Sequence, residues 1–368
     1  MKKPNLKTII NVVTIGLFAF AIYALRDDIA QTIKNIKNAD FYILALIPFL
    51  QYYNYYSIGE LYKTIYKIFK VKVGDRESTR LALELNFVGF ILPTAGVSSI
   101  SYLAIRMRDR ALASVSTTVM GMKILIQNLS FVAFLLVGLF ILSLSGQASN
   151  LLILISSTIS LLIIFAGAVG VYIISSKARI KNFAGTVINF IDYVFNKLRS
   201  FKNSVVKRIS SKKVEKKINK KLDKEKIINR LTTFHDNYLI LKRNRSRLVK
   251  PLFYGFMANL TELATIYVVF GSTGYWVNPG AIIIAYAVAS FSGIFSILPG
   301  GVGTFEALMV TVMVSSGVPA GVSIPAIIMY RIINTVLSMP IGYYFYHKQL
   351  NNDSSLKLKK KTADGKKS

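Results

Sequence analysis

The sequence predicts an all-α polytopic integral membrane protein with about eight transmembrane helices, two broken or re-entrant segments and a basic cytoplasmic helical insertion. Three observations predict it. The 368 residues are 53% hydrophobic with a mean hydropathy of +0.47, and the apolar residues are gathered into long charge-free runs. Runs of about 20 such residues match the thickness of a bilayer core. The net charge is +29, and the Lys/Arg clusters flank the apolar runs, as the positive-inside rule requires. Finally, proline and glycine interrupt two of the apolar stretches, ILPTAGVSS (Ile91–Ser99) and ILPGGVGTFE (Ile297–Glu306).

Candidate spans fall at about 8–25, 41–62, 112–144, 150–175, 252–271, 280–297, 303–317 and 322–346. The first follows Lys2, Lys3 and Lys7 and is too long for a signal-peptide core, with no small-residue cleavage site after it, so it reads as a retained helix. Lys63, Lys67, Lys70, Lys72, Arg76 and Arg80 form one cytoplasmic cluster, and Arg106–Arg110 another. The apolar piece Leu85–Leu103 between them starts and ends on one side, which makes it a candidate re-entrant segment. SGQASN (145–150) and GSTGYWVNP (271–279) are uncharged and read as external, the second carrying the single Trp276 at the interface. Both termini are then cytoplasmic.

The resulting organisation is a first membrane half over 1–176 (re-entrant segment about 85–103), a basic region over 177–250, a second membrane half over 251–347 (broken segment about 297–306), and a disordered basic tail over 348–368. The basic region holds 22 Lys/Arg against 5 Asp/Glu. Its apolar residues, from Phe183 through Phe201 and from Val214 through Leu241, recur at helical spacing, as in two amphipathic helices at the inner leaflet. Such a region is a solvated connector, an attractor of anionic lipid or a docking site for a cytoplasmic protein. No base-stacking module accompanies the charge, so nucleic acid is not an expected partner.

The chain has no cysteine, and its two histidines, His235 and His347, lie outside the apolar spans. It carries no D-x-D or H-E-x-x-H pattern. No catalytic residue, metal or cofactor is expected. The G-x-G-x-x-E run is not a dinucleotide fingerprint, which needs a strand before it and a βαβ unit around it. Both ILP segments instead carry glycine three or four residues after Ile-Leu-Pro. Matching breaks in two membrane halves point to a binding site, because unwound backbone at membrane depth survives only against protein or a water-filled cavity. The broken-helix residues are Pro299, Gly300, Gly301 and Gly303, with Pro93 and Gly96 in the first half.

Ionisable residues inside apolar spans are costly and therefore informative. They are Lys123, Glu262, Glu306 and Arg331, with Glu84 at the edge of the first break. Arg331 lies nine residues after Val322, roughly 14 Å along a helix, and Glu306 is its expected partner. Asn259 shares a face with Glu262, Asn334 with Arg331, and Gln127 with Lys123. Glu306, Arg331, Glu262, Asn259, Lys123 and Asn334 are thus the candidate substrate-binding residues; a structural salt bridge that fixes helix register is the alternative role for the charged pair.

LPGGVGTFEALMV, followed by MYRIIN and a last helix with PIG, resembles the transmembrane region of the lysylphosphatidylglycerol synthase, or multiple peptide resistance factor, family. PTAGVSS (Pro93–Ser99) resembles that family's first-half motif, and the likeness covers about 8–346. The resemblance implies a flippase-type membrane region that moves aminoacylated phosphatidylglycerol between leaflets, here as a stand-alone member lacking the soluble synthase domain. The expectation is a lipid-transport protein of the bacterial cytoplasmic membrane, not an enzyme, that translocates or binds an anionic or aminoacylated phospholipid head group in a polar intramembrane cavity. The alternatives are an accessory scaffold for a lipid-linked glycosyltransferase and a lipid-modifying transferase. Homo-oligomers are compatible with either reading.

Overall fold

The computed structural model describes residues 39–91, 97–146, 149–186, 189, 224–292 and 303–352. The expected first span, the prolines and glycines Pro93, Gly96, Pro299, Gly300 and Gly301, most of 187–223 and the tail beyond 352 lie outside the described residues. Every regular element among the described residues is helical. After a single turn, Phe41–Leu44, come α1 (Ile47–Ile68), α2 (Asp75–Ile91), α3 (Val97–Arg106), α4 (Ala113–Leu144) and α5 (Asn150–Ile174). Then follow α6 (Lys224–Arg243), α7 (Val249–Ser272), α8 (Pro279–Ser292), α9 (Thr304–Ser315) and α10 (Ala320–Asn352).

Local chemistry sets several of these boundaries. Asp40 accepts the amides of Tyr42 and Ile43 and starts the first turn. Ser149 caps α5 by accepting the amide of Leu152 at 3.3 Å. Asp75 and Glu77 place negative charge in the first turn of α2, where the helix dipole favours it. In four places the described chain is long and apolar enough to cross a bilayer: α4, α5, α10, and α7 together with the 3-10 turn before it. α1 has 22 residues, enough length, but it is more polar. α5 lies outermost, with Leu151, Leu154, Leu161 and Phe165 exposed to the surroundings, as a lipid-facing helix requires.

Side-chain contacts give each helix a direction. α1 and α7 are antiparallel: Asn54 reaches Ala258 and Thr261, and Leu61 lies beside Gly255. Tyr66 and Ser116 join the end of α1 to the start of α4, and both lie near the basic residues. At the opposite end, marked by Trp276, Asp40 donates its amide to Ser272, and Asn278 donates to Ser145.

Two hairpins enter this bundle from opposite ends. In the first, α2 and α3 fold back on each other: Tyr102 donates to Glu84 at 2.9 Å, and Arg106 binds both Glu84 and Glu77. Its two open ends, Asp75 and Arg106, therefore share the basic end. In the second, α8 starts at the Trp276 end, where Gly280 lies against Gly138 and Leu142 of α4. α9 begins deep in the bundle, where Glu306 meets Arg331, and climbs back before α10 descends. Among the described residues, the segments expected as separate spans at 280–297 and 303–317 hold α8 and α9. They pack against each other and run in opposite directions, as the arms of a hairpin do.

The two halves repeat. α1, α2, α3 and α4 begin at 47, 75, 97 and 113, and α7, α8, α9 and α10 begin at 249, 279, 304 and 320. Each second-half element starts 202 to 207 residues after its counterpart, and each runs the opposite way through the bundle. The sequence helix–hairpin–long helix is therefore an inverted repeat, an architecture in which binding sites form at the interface between the repeats.

The basic region is described only in part. Residues 177–186 are helical, and α6 docks on the basic ends of the bundle: Asn237 donates to Thr118 of α4 at 2.9 Å, and Lys177 pairs with Asp236 at 2.8 Å.

The mouth of the first hairpin is held by charge. Arg110 binds Glu77 at 2.7 Å, Arg106 joins it at 3.4 Å, and Lys63 of α1 bridges Glu60 and Asp75. Burial opposes ionisation of Glu77, but the hydrogen bond and charge of Arg110, then the charge of Arg106, outweigh it and hold its carboxyl below the usual range. A carboxyl that ionises more readily folded than unfolded stabilises fully above the ordinary carboxylate range, and its contribution is lost as pH falls through the lowered folded value. Unfolding of wild type in detergent should show this acid-side loss, and Glu77→Gln should show a smaller one. Equal acid sensitivity of the two would remove Glu77 from the account.

Candidate functional site

A cavity of about 350 Å³ lies where the two hairpins approach each other. Phe90, at the inner end of α2, and Ser290 and Phe305, at the inner ends of α8 and α9, all line it. α10 supplies a ruler. Asn86 of the first hairpin reaches Ser338, while Glu306 of the second meets Arg331. The described arms of the two hairpins thus touch α10 within two turns of each other, about 10 Å. Asn54, Gln127, Asn259, Glu262, Arg331 and Asn334 complete the polar wall, several of them near the middle of their helices.

Glu306 explains the G-x-G-x-x-E run. Gly303 precedes α9 with φ of 85°, a left-handed conformation that glycine adopts without strain. Its amide donates to Glu306 Oε2 at 2.7 Å, so the carboxylate caps its own helix. The other oxygen, Oε1, takes Arg331 Nε at 2.7 Å. Arg331 also lies over the Phe305 ring, 4.6 Å from its centroid. The side chains of Arg331 and Glu306 are 19% and 15% exposed, so this pair is largely shielded from bulk water.

Glu262 has a different environment. Tyr330 donates its hydroxyl, and Asn334 its amide at 3.0 Å, both to Oε1. Asn259, one turn before it, donates to the Gln127 carbonyl and to Ser130 Oγ, each at 2.8 Å, and ties α7 to α4. Asn54 ties α1 to α7 through the Ala258 carbonyl at 2.7 Å. Asn86 links the first hairpin to α1 through Tyr55 at 3.0 Å. Bonds of this kind satisfy polar groups that lipid cannot.

The structure therefore gathers Arg331, Glu262, Asn259 and Asn334 around one space, with Glu306 bound to Arg331. Lys123 does not line it. It stands on α4 one turn from Gln127 toward the basic end, and it makes no hydrogen bond or ion pair with the described residues. In the inverted repeat its position falls one residue from the equivalent of Arg331, since Ala113 corresponds to Ala320. Among the broken-helix residues, Gly303 alone is described. Among the described residues no cluster of His, Cys, Asp or Glu could hold a metal.

Sequence reasoning missed Tyr330, Tyr55, Asn54, Asn86 and Tyr286. All are uncharged, and a tyrosine within an apolar run reads as core. One signal was present: α1 carries Gln51, Asn54 and Ser57 on its buried side, an unusual polar stripe for a membrane-length helix.

An all-α polytopic membrane protein with opposed hairpins around a charged polar cavity is the class that this geometry defines. The chain belongs to the lysylphosphatidylglycerol synthase TM region family, whose sequence profile matches residues 9–342. It is also similar to a UPF0104 membrane protein of Methanocaldococcus jannaschii, 24% identical over 122 residues, or 33% of this chain. That match spans 36% of the relative, about a third of its length. No solved structure matches the chain.

Proposed function

We propose that the protein translocates a phospholipid between leaflets by passing its head group through the cavity, with the basic end facing the cytoplasm. The observation that carries this reading is the pair of opposed hairpins whose described arms line a charged space inside an apolar bundle from opposite ends. A water-soluble head group needs a polar route, and its acyl chains need lipid; a cavity bounded by hairpins between lipid-facing helices supplies both. Arg331 would meet the phosphate common to phospholipids, and the asparagines would replace water around it. Membership of a family named for a lipid synthase supports the lipid class.

The test fills the cavity. Thr335 lines it, while the next residue, Val336, is 62% exposed on the lipid side. In liposomes containing the full chain and fluorescent phospholipid, wild type and Val336→Trp should exchange lipid between leaflets, read as the fraction quenched by an external reductant. Thr335→Trp should reduce exchange to that of protein-free liposomes. Equal exchange by both tryptophan variants would place the route elsewhere, and absence of exchange by wild type would end the proposal.

A further inference from the structure

Glu262 and Arg331 line the cavity and Glu306 holds Arg331, so the two carboxylates are not used alike. Both oxygens of Glu306 are committed, one to Arg331 and one to the Gly303 amide. Glu262 receives only neutral donors, Tyr330 and Asn334, and both bind Oε1. Its Oε2 accepts nothing from the described residues. The groups that line the cavity with Glu262 are Tyr55 of α1, Gln127 of α4, Tyr286 of α8, and Tyr330 and Arg331 of α10, with Glu306 of α9 bound to Arg331. Among these the single cation is Arg331, already held by Glu306. The other elements packed on α7, the first turn with Asp40 and the 3-10 turn with Arg245 and Arg247, hold their charges at its two ends. With both carboxylates ionised the cavity holds one net negative charge at membrane depth, where an uncompensated ion is costly.

We infer that Glu262 is a proton-binding site and that one proton accompanies each anionic head group through the cavity. This rests on the proposed translocation. A phosphodiester brings one further negative charge to a space that already carries one. A proton taken from water onto Glu262 Oε2 forms an O–H bond, removes the repulsion and converts an acceptor into a donor toward the phosphate. Tyr330 and Asn334 hold Oε1 in either state, so the site keeps its shape while its charge changes. On release the O–H bond breaks, and the proton returns to water on the other side. Lipid anion and proton together are electroneutral, so the transfer responds to a pH difference and not to a membrane potential.

The experiment uses proteoliposomes of the full chain with fluorescent phosphatidylglycerol. A one-unit pH difference, acid outside, should drive the label into the inner leaflet to a ratio of about ten to one, the tenfold factor carried by one proton. A potassium-diffusion potential of either sign should leave that ratio unchanged. Glu262→Gln, which can neither take up nor give up the proton, should fail to build that ratio under the same pH difference. Infrared difference spectra on acidification should show a protonated-carboxyl band that Glu306→Gln retains and Glu262→Gln loses. If wild type equalises the label whatever the pH difference, or if a potential displaces it, proton coupling is overturned while translocation stands. If wild type moves no lipid, both fall. Should Glu262→Gln fail to fold, the wild-type ratio and its indifference to potential decide alone.

Discussion

Arg331→Gln is expected to destabilise the protein by about 3–5 kcal/mol, the usual cost of removing one partner from a buried ion pair. Glu306 would lose the guanidinium bound at 2.7 Å while keeping its own charge, and Glu262 would lose the nearest cation. Much of that cost is the stranded carboxylate, not the worth of the pair, so a second substitution should recover it. Glu306→Gln/Arg331→Gln replaces both charges with neutral groups that can still hydrogen-bond each other, and it should unfold close to wild type. Glu306→Gln alone should fall between them, because its amide still accepts from the Gly303 N–H while Arg331 retains Glu262 nearby. Heat unfolding in detergent, followed by the fraction that stays monodisperse, completes the four-member cycle. Lipid exchange should follow a different order, with every variant that lacks Arg331 impaired, including the stable double. Stability and exchange that fall in parallel across all four proteins would make the pair a register-fixing contact and nothing more.

Charge and length carried most of the legible information. The basic clusters at Lys63–Arg80 and Arg106–Arg110 put both ends of the apolar segment between them on one side, and so a re-entrant segment could be read there. The second hairpin was opaque for a physical reason. Between Thr273 and Tyr330 the only charged residue is Glu306, so no basic cluster reports which side the chain has reached. The two arms of a hairpin and two separate spans then look alike in hydropathy. The Glu306–Arg331 pair was legible because ions at that depth need partners, whereas the partners of Glu262 were not, because a tyrosine and an asparagine have no such obligation. Lys123 satisfied the same rule as Arg331 by sequence and is nevertheless off the cavity wall; its distance from Glu262 depends on how α4 and α7 are rotated, which spacing within one helix cannot supply. The inverted repeat was visible only as two ILP breaks, since its sequence likeness is confined to those few residues while its likeness in element order extends through both halves.

Gly59→Val and Gly342→Val should have the next largest effect, because these glycines clamp the first hairpin from two sides. A Cβ on Gly59 of α1 would stand 2.7 Å from the backbone of Ser78 and Thr79. One on Gly342 of α10 would stand 2.8 Å from the Leu83 carbonyl and 2.9 Å from the Phe87 Cβ. The obstacles are main-chain atoms of α2, which cannot rotate aside as a side chain can, so the hairpin itself must move. Overpacking of this kind costs about 1–3 kcal/mol, and here it also displaces Asn86 and Phe90 from the cavity wall. Gly121→Ala is the control: nothing lies within 4 Å of its added Cβ, and a helical alanine in place of glycine gains about 0.5–1 kcal/mol. The chain has no cysteine, so an engineered pair reports position without background. Asn86→Cys and Ser338→Cys, on side chains that meet at 3.5 Å, should oxidise to a disulfide readily in the wild-type setting and poorly once either valine is present. Lipid exchange should fall with the disulfide yield. A valine variant that cross-links like wild type would show that α2 is not seated on these glycines.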